Sequence, residues 1–205
     1  MKIFDMDSSF NQFMTKIADF LLLNILFILT SIPIITIGTA ITALYHVWFT
    51  YDDYMGDNQM KRYLKAYKDN FKQSIFLSLL FGVFFLFYGV SLMVYPLYDG
   101  VFSKLIFVVL IVSIMVVLIL ALFAFPYLAR FRDSTKRILI NTIQLIIKHF
   151  PSFILVIVMT FSPLVIMHQS VELFIFTLYI YLFIGFSMTT YMNAIIIKNV
   201  FNKYV

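Results

Sequence analysis

The chain has 205 residues, of which 62% are hydrophobic, 25 are Phe and only 12% are Asp, Glu, Lys or Arg, with a formal net charge of +5. That is about half the charge of an average globular domain, too little for the polar shell a water-soluble fold needs. A soluble domain, intrinsic disorder and a nucleic-acid-binding role are excluded as starting points, and the bases fall in loops between long apolar runs, the pattern of a polytopic membrane protein.

Cysteine is absent, which removes disulfides, thiolate metal sites and cysteine nucleophiles. The opening Met1-Lys2-Ile3-Phe4-Asp5-Met6-Asp7 carries acids where a signal peptide carries bases. The first apolar run is therefore expected to stay as a membrane segment.

The uncharged runs set the count of segments, since a membrane helix needs about 20 apolar residues to cross about 30 Å of hydrocarbon. Asp19 to Asp52 encloses 32 uncharged residues, Lys72 to Asp99 26, Lys104 to Arg130 25, Lys148 to Glu172 23 and Glu172 to Lys198 25. The last four runs are each one helix long. The first is too long for one and carries Ser31-Ile32-Pro33-Ile34-Ile35-Thr36-Ile37-Gly38 in its middle. Pro33 removes a backbone donor and Gly38 weakens a helix, so the run is predicted to break there into two segments of roughly 18 residues. A kinked single helix or a re-entrant hairpin is the alternative. The expected fold class is all-α: a single-domain bundle of six membrane segments, or five, with two cytoplasmic amphipathic helices.

Those two helices lie in the basic loops. Lys61, Arg62, Lys65, Lys68 and Lys72 fill one; Arg130, Arg132, Lys136, Arg137 and Lys148 fill the other, so ten of fifteen bases sit in two loops on one side. The positive-inside rule makes that side cytoplasmic, and six segments put both termini there as well. In the first loop Lys61, Lys65, Lys68 and Lys72 follow helical spacing beside Met60, Leu64, Tyr67 and Phe71, a helix able to lie in the interface near anionic headgroups. In the second, Arg137, Asn141, Gln144 and Lys148 form a polar stripe on an Ile/Leu-rich helix expected to be half buried. A Lys-Arg pair opens both stretches (Lys61-Arg62, Lys136-Arg137), which hints at a duplicated unit or simply at two ordinary inner loops.

Ionisable and amide groups at membrane depth are the default candidates for function. Asp19 follows Lys16 by three residues on one helical face, the pattern of an interfacial ion pair or of an ion site. Asn24 lies deeper and needs a partner within the bundle. His46 is the one histidine well inside an apolar run; His149 and His168 stand at run ends. Asn193 follows Ser187, Thr189 and Thr190 in the last run, suited to helix–helix hydrogen bonding. No metal-ligand spacing, catalytic triad, paired carboxylates or phosphate-binding glycine loop appears, so no cofactor or metal is expected. The Pro33–Gly38 break frees backbone groups that a transporter would turn on a substrate, or that a tight turn between two short spans would absorb.

Ile17-Ala18-Asp19-Phe20-Leu21-Leu22-Leu23-Asn24, then Ser31 to Gly38 and Ala43-Leu44-Tyr45, resemble the YesL-like family of bacterial integral membrane proteins. Tyr67-Lys68-Asp69-Asn70-Phe71-Lys72-Gln73-Ser74, Phe125-Pro126-Tyr127-Leu128-Ala129-Arg130-Phe131 and Lys148-His149 are similar to it too. The resemblance implies a domain of unknown function in bacterial cytoplasmic membranes, associated with carbohydrate uptake systems, with no assigned catalytic residues. It makes Asp19, Asn24, Pro33, Thr36, Gly38, Asn70, Phe71, Lys72, Pro126, Arg130 and His149 candidates for structure or coupling. The expected function is that of a non-enzymatic accessory or regulatory protein whose partners are the lipid bilayer and a membrane transporter complex or a second copy of itself. The alternative is a small transporter or channel using the broken first segment. A membrane enzyme would have only His46, His149 and Asp19 as acid–base groups.

Overall fold

A computed structural model of the chain describes residues 9–95 and 100–204; Lys2, the acidic opening at Met1–Asp7 and Pro96 lie outside them. Among the described residues every regular element is helical. The order is α1 (Ser9–Ser31), α2 (Ile37–Phe49), α3 (Gln59–Val94), α4 (Val101–Arg130), α5 (Thr135–Lys148), α6 (Phe150–Met167), α7 (Val171–Ile180) and α8 (Phe186–Phe201). A five-residue π-helical turn, Tyr181–Gly185, joins α7 to α8. Five helical stretches are long and apolar enough to cross a membrane: those of α1, α3, α4, α6 and the α7–α8 rod.

The first apolar run breaks where Pro33 predicts. A single 3-10 turn, Ile34–Thr36, separates α1 from α2. The two helices then run antiparallel, because Asp19 near the start of α1 meets Tyr51 past the end of α2 at 2.8 Å and Phe20 stacks on Trp48 at 4.6 Å. The halves are unequal: α1 has 23 residues and α2 only 13, about 20 Å of helix. That is too short to cross hydrocarbon alone.

α2 is nevertheless the centre of the bundle. It packs against α1, α3, α4 and α8, and ten of its thirteen residues are buried. Small side chains make this close approach possible, as at membrane helix interfaces generally. Gly38, Thr39, Ala40, Thr42 and Ala43 are all buried, and a Cβ on Gly38 would stand 2.2 Å from Ser78 Oγ and 2.3 Å from Phe125 Cε1.

The first basic stretch is not a separate helix in the interface. It is the opening of α3, which runs unbroken for 36 residues. Its inward face is Gln59, Tyr63, Ala66, Ser74, Leu77 and Phe81, a near-heptad stripe laid against α2, while Met60, Leu64 and Phe71 are exposed. The expected apolar face was thus displaced by one residue, because tertiary packing selects Tyr63 and Ala66 over the more hydrophobic neighbours. The second basic stretch does form its own helix, α5, with Ile138, Thr142 and Leu145 buried. The two loops therefore differ in build, one continuous with its span and one broken at His149, which removes the structural case for duplication.

All basic segments converge on one end of the bundle. Lys198 pairs with Asp52 at 3.2 Å, Arg130 donates to Asn202 Oδ1 at 3.2 Å, and His149 Nε2 meets the Tyr204 hydroxyl at 2.8 Å. Rings gather at the same end, where Trp48 contacts Tyr51 and Tyr191 and Phe201 contacts Phe49, Tyr127 and Phe131. Such aromatic layers are typical of a membrane–water boundary. The outer faces of α3, α4, α6 and α7 carry exposed aliphatic and aromatic side chains, suited to lipid.

Replacing Gly38 by Val is expected to lower stability by about 1–3 kcal/mol through overpacking. Gly82→Ala, at a position with nothing within 4 Å of a new Cβ, leaves it unchanged or slightly raised. Thermal unfolding of the two variants in mild detergent checks the contrast.

Candidate functional site

The deepest polar side chain has a structural task. Asn24, fully buried on α1, donates to the carbonyls of Tyr181 and Leu182, both at 3.0 Å, and accepts from the Ser187 amide at 3.0 Å. A π-turn leaves carbonyls and amides out of the regular ladder, and one carboxamide serves both kinds. Gly185 is required in the same turn, since a Cβ there would lie 2.7 Å from the Tyr181 ring. Asn193 similarly donates to Thr160 Oγ1 at 2.9 Å across the α6–α8 contact.

Asp19 and Lys16 do not form the ion pair their spacing suggests. Each turns to a tyrosine: Tyr51 donates to Asp19 at 2.8 Å, and Lys16 Nζ donates to the Tyr191 hydroxyl at 2.6 Å and lies 4.3 Å from that ring's centre. The half-buried aromatic layer gives both charges nearer partners than each other. Burial, and then the Asp19 carboxylate that accepts its hydrogen bond, push the Tyr51 hydroxyl above the usual phenol range.

The Pro33 break is a sealed turn. Thr36 Oγ1 donates to the carbonyls of Thr30 and Pro33, both at 2.7 Å, and the Thr36 amide closes on Pro33 O at 2.8 Å. Pro33 is exposed, Thr36 and Gly38 are buried, and none of the three lines a cavity at the basic end.

The cavity that stands out lies at the basic end. A cleft of about 900 Å³ is walled by His46 and Thr50 of α2, by Arg62, Lys65, Asp69, Asn70 and Gln73 of α3, and by Arg130, Arg132 and Asp133 after α4. A second cavity of about 500 Å³ shares His46, Thr50 and Arg130 and reaches Tyr204. The walls are tied down. Gln73 Nε2 donates to Asp133 O at 2.6 Å, and the Tyr127 hydroxyl, itself accepting from Asn141, donates to Asp133 Oδ2 at 2.6 Å. Arg62 donates to Gln59 Oε1 at 2.6 Å and to both oxygens of Thr50, with its guanidinium over the Tyr54 ring at 4.5 Å. His46 Nδ1 lies 3.1 Å from Ala129 O; a carbonyl only accepts, so this nitrogen carries the proton.

Of the candidate positions, Asn70 and Arg130 line the cleft together with His46. Phe71 and Lys72 lie beside it but face outward. Pro126 is buried in the last turns of α4, where its missing amide loosens the ladder just before Arg130. His149 ends α5 next to Tyr204. The cleft also recruits Asp69 and Gln73, which lie in the family-like block at 67–74 without being singled out, and Thr50 and Asp133, which no motif marks; the clustering of Arg62, Arg130 and Arg132 in the two basic loops was the signal available. Residues 20–92, which span the second half of α1, all of α2 and α3 up to its last two residues, match the family described as Protein of unknown function, DUF624, in agreement with the YesL-like resemblance. No curated protein and no solved structure matches the chain.

Asn24→Leu is expected to destabilise the bundle by about 1–3 kcal/mol, because carbonyls of the π-turn lose their donor in an apolar setting. Denaturation in mixed micelles reads this directly, and Asn24→Asp should be no better, since a carboxylate cannot donate to Tyr181 O. His149 gives a pH test. Partial desolvation, then Lys203 and Lys148, hold its imidazole below the ordinary 6.5. The fold then binds fewer protons than the unfolded chain just below that value, so this contribution is complete above it and is lost as pH falls. An NMR titration of His149 should give a midpoint below 6.5 that rises in Lys203→Gln.

Proposed function

We propose that the chain is a non-enzymatic accessory or regulatory protein of the bacterial cytoplasmic membrane, working from its basic end on a carbohydrate uptake system in the same membrane. The observation that supports it is the cleft: positioned polar side chains collect at the end that the positive-inside rule assigns to the cytoplasm. Elsewhere the lateral surface is aliphatic and aromatic. The carbohydrate system comes from the family resemblance.

Transport finds less support in the geometry. Asn24 and Asn193 at depth are engaged in helix–helix bonds, and the break at Pro33 is sealed by Thr36. Acid–base catalysis also finds little. Nε2 of His46 meets no hydroxyl or carboxylate among the described residues, and Asp19 and His149 stand in separate contacts with Tyr51 and Tyr204.

Deletion of the gene tests the proposal. Uptake of labelled sugars should fall severalfold for at least one sugar, return with the wild-type gene, and not return with an Arg130→Glu/Arg132→Glu variant present at equal membrane abundance. Unchanged uptake across a broad sugar panel contradicts it.

A further inference from the structure

We propose that the cleft between α2, α3 and α4 binds a phosphate-bearing anion. This deepens the reading of the basic end as the working face. Four cations border the cleft: Arg62, Lys65, Arg130 and Arg132. None lies within ion-pair distance of a carboxylate among the described residues, where the ion pair found is Lys198–Asp52. Arg62 gives its hydrogen bonds to neutral groups, Gln59 and Thr50, and lies over the Tyr54 ring, so its position is set, while Asp57, Asp53 and Asp19 act on its charge only from beyond ion-pair distance. Arg130 is likewise held by the Asn202 amide. A partly buried guanidinium with no carboxylate in direct contact still favours an anion, and most of all one that accepts several charge-assisted bonds.

The acids on the lining do not fill that need. Asp133 is turned to Tyr127 and Asn141, and Asp57 and Asp69, exposed like Lys65 and Arg132, make no ion pair with the lining cations, which outnumber the three acids by one. Cations approach from α3 on one side and from the end of α4 on the other. A tetrahedral phosphate, with a charge approaching −2 and three free oxygens, meets such a divergent set better than a planar carboxylate does. About 900 Å³ leaves room for the rest of an ester, within the span of small-molecule sites. The phosphate can belong to a lipid headgroup, since the cleft opens beside the aromatic boundary layer, or to a soluble phosphate ester.

The test uses the purified full chain in a neutral, phosphate-free detergent, with thermal unfolding as the readout. One arm adds inorganic phosphate against chloride at equal ionic strength. The other adds short-chain phosphatidic acid against diacylglycerol of the same chains. A rise in midpoint in both arms identifies a soluble ester site, and a rise with phosphatidic acid alone identifies a headgroup site; either supports the proposal. A Lys65→Gln/Arg132→Gln variant alters side chains with no partner among the described residues, so its ligand-free midpoint should hold while binding weakens about tenfold or more. No rise in either arm, or a rise that this variant fully retains, overturns it. Binding to purified protein is independent of sugar uptake, so either proposal can fail alone.

A different observation carries a second inference. We infer that the α1–α2 hairpin is re-entrant, turning back within the hydrocarbon. Gly38 packs against Ser78 and Phe125, which sets its level on α3 and α4. α3 continues 16 residues past Ser78 to Val94, about 24 Å of helix, whereas only the turn at 32–37 separates Gly38 from the end of α1. The tip exposes Ile32 at 72% and Ile34 at 83%, with Ile35 and Ile37 beside them and no charge. Such a tip is costly in water and favourable in lipid, and Thr36 covers the carbonyls of Thr30 and Pro33. The cysteine-free chain allows a clean test. A cysteine at Ile34 should resist an impermeant maleimide from both sides of the membrane and react once detergent is added, while one at Asp53 labels from a single side. Labelling of the Ile34 position from either side of the intact membrane refutes the inference.

Discussion

A membrane-embedded backbone must satisfy its own amides and carbonyls, because the surrounding hydrocarbon offers no partner. Two departures from a regular helix among the described residues are each matched by a specific polar side chain. At the Pro33 turn it is Thr36, which takes the carbonyls of Thr30 and Pro33. At the π-turn before α8 it is Asn24, reaching across from α1 to two carbonyls and an amide. The Thr36 repair stays within its own turn, while Asn24 ties α1 to the break before α8 and so makes that break a joint between distant segments.

The Pro33 turn has a large consequence for architecture. It folds the first apolar run back on itself, and the returning half, α2, carries enough small residues to be enclosed by four other helices. Above α2 the α3–α4 hairpin continues with little buried surface. Below it, past Thr50, lies the polar cleft walled by α2, α3 and the end of α4. The ring cluster of Phe20, Trp48, Tyr51 and Tyr191 closes one flank of that end, with Lys16 and Asp19 engaged through tyrosine hydroxyls. A short central helix thus produces both the core and the opening beneath it.

Much of this was legible from residue order. Long uncharged runs dictate the helices, the Pro33–Gly38 stretch dictates the break, and the need of a buried Asn24 for a partner follows from its amide alone. The partner itself was not legible, because nothing in Tyr-Leu-Phe-Ile-Gly at 181–185 announces a π-turn; that conformation exists only against α1. The inward face of α3 was misplaced because periodicity favours the more hydrophobic Met60, Leu64 and Phe71 over Tyr63 and Ala66, and only the closeness of α2 reverses the choice. Lys16 and Asp19 looked paired because spacing knows nothing of Tyr191, 175 residues away. The cleft joins three segments distant in sequence, so its arginines were visible as loop charges while Thr50, Gln73 and Asp133 were not.

The central claim is that α2, the most enclosed of the apolar helices, is the core on which the others assemble. Hydrogen exchange on the chain in lipid nanodiscs tests it most directly, since protection there reports local opening as well as shielding by lipid. The account predicts that amides in the middle of α2, from Thr42 to Val47, are among the slowest in the molecule, slower than those of α5, even though both lie toward the basic end. Exchange of α2 at the rate of α5, with α3 and α4 still protected, would contradict it.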